Sequence, residues 1–458
     1  MDYDFAVIGG GSAGYAAART AAGLGLKTIV IEGGPEVGGL CILRGCMPSK
    51  TLIESANRYL TLRRAEEFGL KAEGIGFDAG QIIARKRKLI GEFADYRREQ
   101  LESGKFAFLR GHAAFVDDHT VNVSTMEGGT TTLSARSFLI ATGSEHSSPP
   151  VPGLAEANCL TSDDILDMEN IPSSIIVLGA GPVSLELAHY LEALGSKATI
   201  IQRSEHFLRG VDPDVADVVE EAFRARGFTV YTGTKLLRVD PGVVTFEKDG
   251  QEIRVEAEAI LNGLGRKPQV SGLNLDAAGV RLKGNFVEAN DRQQTTASHI
   301  FAAGDCCGPF EVVHIAITQG EVAAQNASSL IKGEEASKTV DYRLKLYAVF
   351  TEPQVAVTGL TEEEAKEKGI DYLTASYPFN DHGKSMVMGE THGFVKLIVD
   401  KTTREIIGGA VVGPHASDLI HEVVVAMQFR ATAGQFAAIP HYHPTLSEIW
   451  TYPAEDLA

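Results

Sequence analysis

Apolar residues in the first thirty positions fall in two short runs separated by a glycine turn and a small-residue helix. Over residues 3 to 32, Phe5 to Gly14 reads as an apolar strand and its glycine turn, the alanine-rich stretch after it as a helix, and the apolar run that ends at Glu32 as a second strand. Residues 173 to 203 repeat the plan. Fully apolar strands on either side of a helix are those of a parallel sheet covered on both faces, so two βαβ nucleotide-binding units are expected.

Between the units, Thr51 to Gly111 has helical spacing of Leu among Arg, Lys and Glu, while Thr120 to Ile140 alternates like antiparallel strands and runs into the turn Ala141-Thr142-Gly143. Ser147 to Gly153 is proline-rich, the character of a domain boundary, and Gly263 to Pro268 is where the chain is expected to cross back. From about Thr339, strand-like runs (Tyr347 to Val357, Phe394 to Val399, Ile406 to Val412) and helices (Glu362 to Lys368, Ser417 to Arg430) predict a final α+β domain. The expected class is α/β, two doubly wound (Rossmann-like) domains and a C-terminal α+β domain, with segments 1–150, 151–268, 269–338 and 339–458.

Length agrees with this division, since 458 residues exceed the ~250 to 300 that one core holds. The formal net charge of -18 leaves no extended basic face to displace counterions, so neither nucleic acid nor an anionic membrane is expected as a partner. The run Arg85-Lys86-Arg87-Lys88 is read as a solvated helix face among acids. No basic leader precedes the first strand and no apolar run is long enough to span a bilayer, which predicts a cytoplasmic protein. Five cysteines, at 41, 46, 159, 306 and 307, are too few for a disulfide framework, and a pair as close as Cys41 and Cys46 is the catalytic kind. Cys159 and the vicinal Cys306-Cys307 are read as buried small hydrophobes.

Two motifs carry chemistry. Gly9-x-Gly11-x-x-Gly14 follows a strand and opens a helix, and Glu32 ends the next strand, which is the full context of a dinucleotide site. Gly9 permits the turn, Gly11 lets a pyrophosphate approach the helix N-terminus, Gly14 lets helix and strand close up, and Glu32 accepts from an adenosine ribose. The second motif is Gly39-Leu40-Cys41-Ile42-Leu43-Arg44-Gly45-Cys46-Met47-Pro48-Ser49-Lys50. Residues five apart lie ~140° apart around a regular helix, so joining Cys41 to Cys46 needs a distorted turn, which Gly45 can supply. A strained, accessible disulfide of this kind is reducible.

With these residues the chain resembles the pyridine nucleotide-disulfide oxidoreductase family, the group of dihydrolipoamide dehydrogenase, glutathione reductase and mercuric reductase, over essentially its whole length. The resemblance implies FAD in the first fingerprint, Cys41 as the interchange thiol facing substrate, Cys46 as the thiolate beside the flavin, and Lys50 near flavin N5. It implies that Asp305, in Phe301-Ala302-Ala303-Gly304-Asp305, accepts from the ribityl chain, and it assigns Thr142, Gly143 and Gly265 to the cofactor sites. It also identifies His443 and Glu448, in His443-Pro444-Thr445-x-x-Glu448, as the acid/base and its orienting partner, with a homodimer in which the histidine box of one subunit completes the disulfide site of the other. Metal ligation by His441 and His443 is the competing reading, and no further Cys or His lies close by in sequence to complete a site, so no metal is expected.

Gly179-x-Gly181-x-x-Ser184 is the second fingerprint, with serine in the third glycine position. By resemblance Glu186 pairs with Lys50, and Pro182 replaces the aromatic gate of glutathione reductases. Where NAD-type relatives end the next strand with an acid, this chain has Gln202, followed by Arg203 and then Arg209. An acid there repels a 2′-phosphate and two arginines attract one, so NADP(H) is favoured over NAD(H); solvated surface charge is the other reading of the pair. Leu40 and Leu43 stand where the family carries Thr and Asn, leaving apolar surroundings that suit a lipoyl arm better than a charged peptide. The segment Tyr452 to Ala458 holds no cysteine, unlike mercuric reductases. A dihydrolipoamide dehydrogenase-like enzyme acting on a small disulfide or dithiol, free or lipoyl on a carrier protein, is therefore expected, with an NADPH-dependent reductase of a small disulfide as the alternative.

Overall fold

The computed structural model describes residues 1–458. The chain gathers into two compact units, one of residues 1–51, 81–147 and 265–340, the other of residues 52–80, 148–264 and 341–458. No helix in either is long and apolar enough to cross a membrane.

In the first unit a parallel sheet runs in the order Ala107–Phe115, Thr28–Glu32, Tyr3–Ile8, Thr130–Ile140, Ile300–Ala302. Alternate residues of the first strand enter different cores: Phe5 and Val7 join Leu139 and Phe301, while Ala6 and Ile8 join Ile29, Ile31 and Phe138. Both faces are covered, which is why these strands read as unbroken apolar runs. Helices Ser12–Gly23 and Val313–Ile331 pack together on one side. Gly320 makes that contact possible, because a Cβ there would stand 2.3 Å from the Ala13 carbonyl oxygen. The distal parts of Ala107–Phe115 and Thr130–Ile140 pair with Thr120–Thr125 as an antiparallel ladder.

The second unit holds a parallel sheet ordered Ala259–Asn262, Ser174–Leu178, Lys197–Ile201, Thr229–Tyr231 and an antiparallel meander, Lys235–Asp240, Val243–Lys248, Gln251–Glu256. Its C-terminal part is a five-stranded antiparallel sheet, ordered Leu346–Val349, Gln354–Gly359, Ile406–Gly413, Phe394–Asp400, Tyr372–Pro378. Helix Ala416–Gln428 lays Leu419, Ile420, Val423 and Met427 into the core formed by Val395, Leu397 and Val411. The α/β class with a C-terminal α+β part is thus as expected.

Four local expectations need correction. The helical stretch ends at Leu101, and Ala107–Phe115 is a sheet strand, so the pattern carried to Gly111 ran into the next element. Tyr347 to Val357 is a hairpin rather than one strand: Pro353 lacks the N–H that a ladder needs, and Val349 pairs back on Val355. Lys86 is buried on the same helix stripe as Ile83, Ile90 and Ala94, whereas Arg85, Arg87 and Lys88 are solvated. Cys159 is half-buried at the margin of a core rather than inside it, while Cys306 is fully buried.

One buried cation ties two layers of the second unit. Lys396, on strand Phe394–Asp400, is 2% exposed and reaches Asp212 Oδ2 at 2.8 Å, Asp214 Oδ1 at 2.8 Å and Glu362 Oε1 at 3.0 Å. Burial alone would push its pKa down, but the hydrogen bonds it donates to Asp212 and Asp214 outweigh it and hold the ammonium above the usual lysine range. Replacing it by an apolar residue strands the carboxylates. Lys396→Met is expected to cost about 3 kcal/mol, the low end for a broken buried pair because Asp214 is half exposed. A urea midpoint equal to that of the parent would show that the cage contributes nothing to stability.

Candidate active site

The first glycine turn shows how closely backbone must approach backbone. Gly9 has φ +107°, and a Cβ on Gly14 would stand 1.8 Å from the Gly9 oxygen, so no other residue fits. Glu32 braces the turn, its Oε2 accepting from Gly10 N at 2.7 Å and its Oε1 from Gly34 N at 2.6 Å. The helix that follows has Gly11 as N-cap with no side chain bonded to its open N–H groups. Gly39, at φ +75°, lies so close to this turn that a Cβ would meet Gly11 Cα at 2.6 Å.

Two residues beyond Gly39 comes Cys41. The chain is helical over Gly39–Leu43, breaks at Arg44 (φ −141°), and starts again as the 18-residue helix Cys46–Arg63. Gly45 is the hinge, with its Cβ position 3.0 Å from Leu40 O and 3.1 Å from Cys41 Cα. The expected distortion is therefore present, and it turns the two thiols toward each other. The Cys41 thiol is pushed up, first by the hydrogen bond to Cys46 and then by burial, with Lys50 opposing more weakly. Cys46 occupies the first helical position, where the helix dipole favours an anion. Cys41 is thus held toward its thiol form, and Cys46 sits where a helix N-terminus would favour an anion.

On the other side of the same unit, Asp305 Oδ2 accepts from Ser144 Oγ at 2.6 Å, and Ser144 in turn accepts from Arg266 Nε at 2.8 Å. Thr142 Oγ1 is buried with no partner, beside Gly143 at φ +72°. Gly265 O accepts from Ser147 N at 3.0 Å, so the two crossings of the chain lie side by side.

In the second unit the glycine turn repeats the first with one difference. Gln202 Oε1 accepts from Ala180 N at 3.2 Å, as Glu32 does from Gly10. Gly181 is again a bare N-cap and Gly179 has φ +95°. Ser184 is buried and donates to Gly263 O at 3.2 Å, so the serine fits where the first unit admits only glycine. Glu186 is buried and accepts from Phe350 N at 3.0 Å. Arg203 and Arg209 are both exposed beyond the strand end.

The C-terminal box is built on an anchor, with Ile449 and Trp450 fully buried. His443 Nδ1 lies 2.9 Å from Glu448 Oε2, and the carboxylate is buried while the imidazole is 79% exposed. His441 does not converge on His443; its Nε2 goes to Glu422 at 3.2 Å and its Nδ1 to Ile439 O at 2.9 Å.

Residues 3–320 match the family model described as pyridine nucleotide-disulphide oxidoreductase, and residues 346–454 match its dimerisation domain. The chain belongs to the pyridine nucleotide-disulphide oxidoreductase family. Dihydrolipoyl dehydrogenases of Bacillus subtilis and Mycobacterium tuberculosis are 32% and 35% identical to it, over 98% and 97% of this chain and 96% of each relative. A mercuric reductase of Staphylococcus aureus is 33% identical over 94% of this chain and 78% of its own. Among solved structures, LpdA of Mycobacterium tuberculosis has a TM-score of 0.88 at 30% identity, covering 99% of this chain and 100% of that one. The HOCl-induced flavoprotein disulfide reductase RclA of Escherichia coli has 0.85 at 25%, covering 99% of each. This oxidoreductase is thus a dihydrolipoyl dehydrogenase-like, FAD-dependent flavoprotein.

The first unit fits FAD on its own evidence. Gly11 and Gly39 present bare backbone, the helix N-terminus is open to a pyrophosphate, and the orphaned Thr142 hydroxyl is a buried polar atom awaiting a ligand. Glu32, Thr142, Gly143 and Asp305 are the residues that would hold it.

Two residues at the site escaped the sequence reading. His382 is fully buried, its Nδ1 2.8 Å from Ser385 Oγ and its Nε2 3.4 Å from Glu448 Oε1, so Glu448 lies between two imidazoles. A lone histidine in the polar run Asn380-Asp381-His382-Gly383 gives no pattern that would announce this. Arg97 is the other, and it did leave a signal: it falls one turn past Ala94 on the buried stripe of helix Ala79–Leu101.

Burial holds the pKa of His382 below the usual 6.5, the Glu448 carboxylate opposing only in part. A depressed histidine contributes stability that is present above 6.5 and is lost as pH falls toward the folded pKa, because the unfolded chain takes up the proton first. The urea midpoint should therefore fall between about pH 7 and pH 5, and fall less steeply in His382→Asn. Parallel pH curves for the two proteins would mean that His382 is protonated equally in both states.

Proposed function

We propose that this oxidoreductase passes electrons between NADP(H) and a small disulfide or dithiol through Cys41 and Cys46. The names of its dihydrolipoyl dehydrogenase relatives point to a dithiolane, free or on a carrier protein, as the type of substrate. The observation that carries the reading is the break at Gly45, which brings a protonated Cys41 against a Cys46 seated on a helix N-terminus.

When bound, FAD supplies the two-electron exchange between nicotinamide and dithiol. In the reductive direction, His443 takes the proton that Cys41 otherwise spends on Cys46. The Cys41 thiolate attacks one substrate sulfur, forming a mixed disulfide and expelling the other sulfur, which receives the proton from His443. The Cys46 thiolate then attacks the Cys41 sulfur, releases the second sulfur as a thiolate that takes its proton from solvent, and leaves a Cys41–Cys46 disulfide, which two electrons from NADPH return to the dithiol. Glu448, held inside, accepts from Nδ1 and leaves Nε2 as the working nitrogen. Lys50 would act beside the cofactor.

A homodimer follows from the same arrangement. The His443 side chain is 79% exposed, and the C-terminal part also exposes Tyr442 at 82%, Phe429 at 79% and Ile439 at 51%, apolar surface that a second copy would cover. The match of residues 346–454 to a dimerisation domain supports this. Cys41→Ser and His443→Ala proteins should each be inactive, and mixing them under subunit exchange should restore activity, because the heterodimer keeps one site with both residues. Verified exchange with no recovery would place both residues in one chain's site and end the shared-site model.

NADP(H) is favoured because Gln202 brings no charge to the strand end, where Arg203 and Arg209 stand exposed. Charge-assisted bonds to a 2′-phosphate predict that neutralising both arginines raises KM for NADPH roughly 10- to 100-fold and leaves KM for NADH nearly unchanged. Equal kinetics of parent and double variant with both nicotinamides would make the arginines surface charge and return the preference to NAD(H).

A further inference from the structure

Arg97 is a half-buried cation with no carboxylate paired to it. Its guanidinium carbon lies 4.2 Å from the centre of the Tyr15 ring, a stacking that fixes its plane, and two of its nitrogens, Nε and Nη1, are buried with no hydrogen-bond partner. Other arginines of the first unit do find acids: Arg19 pairs with Glu321, Arg44 with Glu36, and Arg98 with Asp95 on the same helix. Burial is the main influence on the Arg97 charge and opposes it, with Tyr15 and Cys41 the largest influences that favour it. Orphaned guanidinium N–H groups are costly, and a cation kept in such a place implies an anion that comes from outside the protein.

The position says where that anion arrives. Tyr15 stands one turn along the helix whose first residues support Gly39, and Cys41 follows two residues after Gly39. Arg97, stacked on Tyr15 and within electrostatic reach of Cys41, therefore lies over the flank of the helix rather than at its open N-terminus, where Gly11 offers itself to a pyrophosphate.

We propose that Arg97 is the anion-recognition residue of the disulfide site, and that the disulfide on which Cys41 acts carries a carboxylate which the guanidinium binds while the sulfur chemistry proceeds. This rests on Cys41 being the interchange thiol, and it refines the substrate from a small disulfide to an anionic one. An amide-linked dithiolane lacks the matching charge.

Lipoate and lipoamide share one dithiolane and one chain and differ in carboxylate against carboxamide, so they isolate the charge. With the FAD-loaded enzyme, kcat/KM for lipoate should exceed that for lipoamide by roughly 10- to 100-fold at low salt, as expected of a charge-assisted bond, and the ratio should shrink as salt rises. Arg97→Leu should bring the ratio toward one, and Arg97→Lys should restore part of it, since a point charge replaces the planar fork. A parent enzyme that handles both substrates equally, or prefers lipoamide, overturns the proposal without any variant. Loss of bound FAD in Arg97→Leu would assign the anion to the cofactor's phosphates, and an equal fall on both substrates with FAD retained would assign Arg97 to the thiol alone; either outcome overturns it. Cys41→Ser separates the two layers of the argument. Disulfide reduction that survives in that variant means the reading of the thiols has failed, whatever Arg97 does.

Discussion

Everything around the redox site depends on how close backbone is allowed to come to backbone at the start of helix Ser12–Gly23. Gly14 must meet the Gly9 carbonyl, Gly39 must meet Gly11, and Gly320 must meet the Ala13 carbonyl, three contacts in which a single added carbon would stand at 2.6 Å or less from a backbone atom. The first seats the helix on its strand, the second hangs the cysteine turn from the helix N-terminus, and the third closes the unit behind it. Because these contacts involve no side chain, the helix end stays open to a phosphate, and the position of Cys41 is inherited from the packing of the sheet.

The cysteine turn uses the same economy. Gly45 breaks a helix that would otherwise separate the two thiols, and the restart at Cys46 gives one sulfur a helix N-terminus while leaving the other as its donor. Two chemically identical side chains thereby acquire different surroundings. Nothing beyond the local path of the main chain is needed to distinguish them.

Charge inside the molecule is otherwise matched closely. Lys396 has three carboxylates, and Glu448 has imidazoles on two sides. Against that background Arg97, half-buried on the Tyr15 ring with two nitrogens unpaired, stands out as a group whose partner the chain itself does not supply.

By itself the sequence determined the two nucleotide-binding units, the cysteine pair and its need for a distorted turn, and the histidine box, because each is written in residues near one another, where spacing alone decides what touches. Gly9 to Gly14, Gly39 to Lys50 and His443 to Glu448 are all of this kind. Only the tertiary structure decided that Lys86 is buried, that Tyr347 to Val357 folds back on itself, that His382 stands behind Glu448, and that Arg97 stacks on Tyr15. These depend on contacts between residues tens of positions apart, such as Arg97 with Tyr15 and His382 with Glu448, and a one-dimensional pattern records which face of a helix is buried but not what lies across from it.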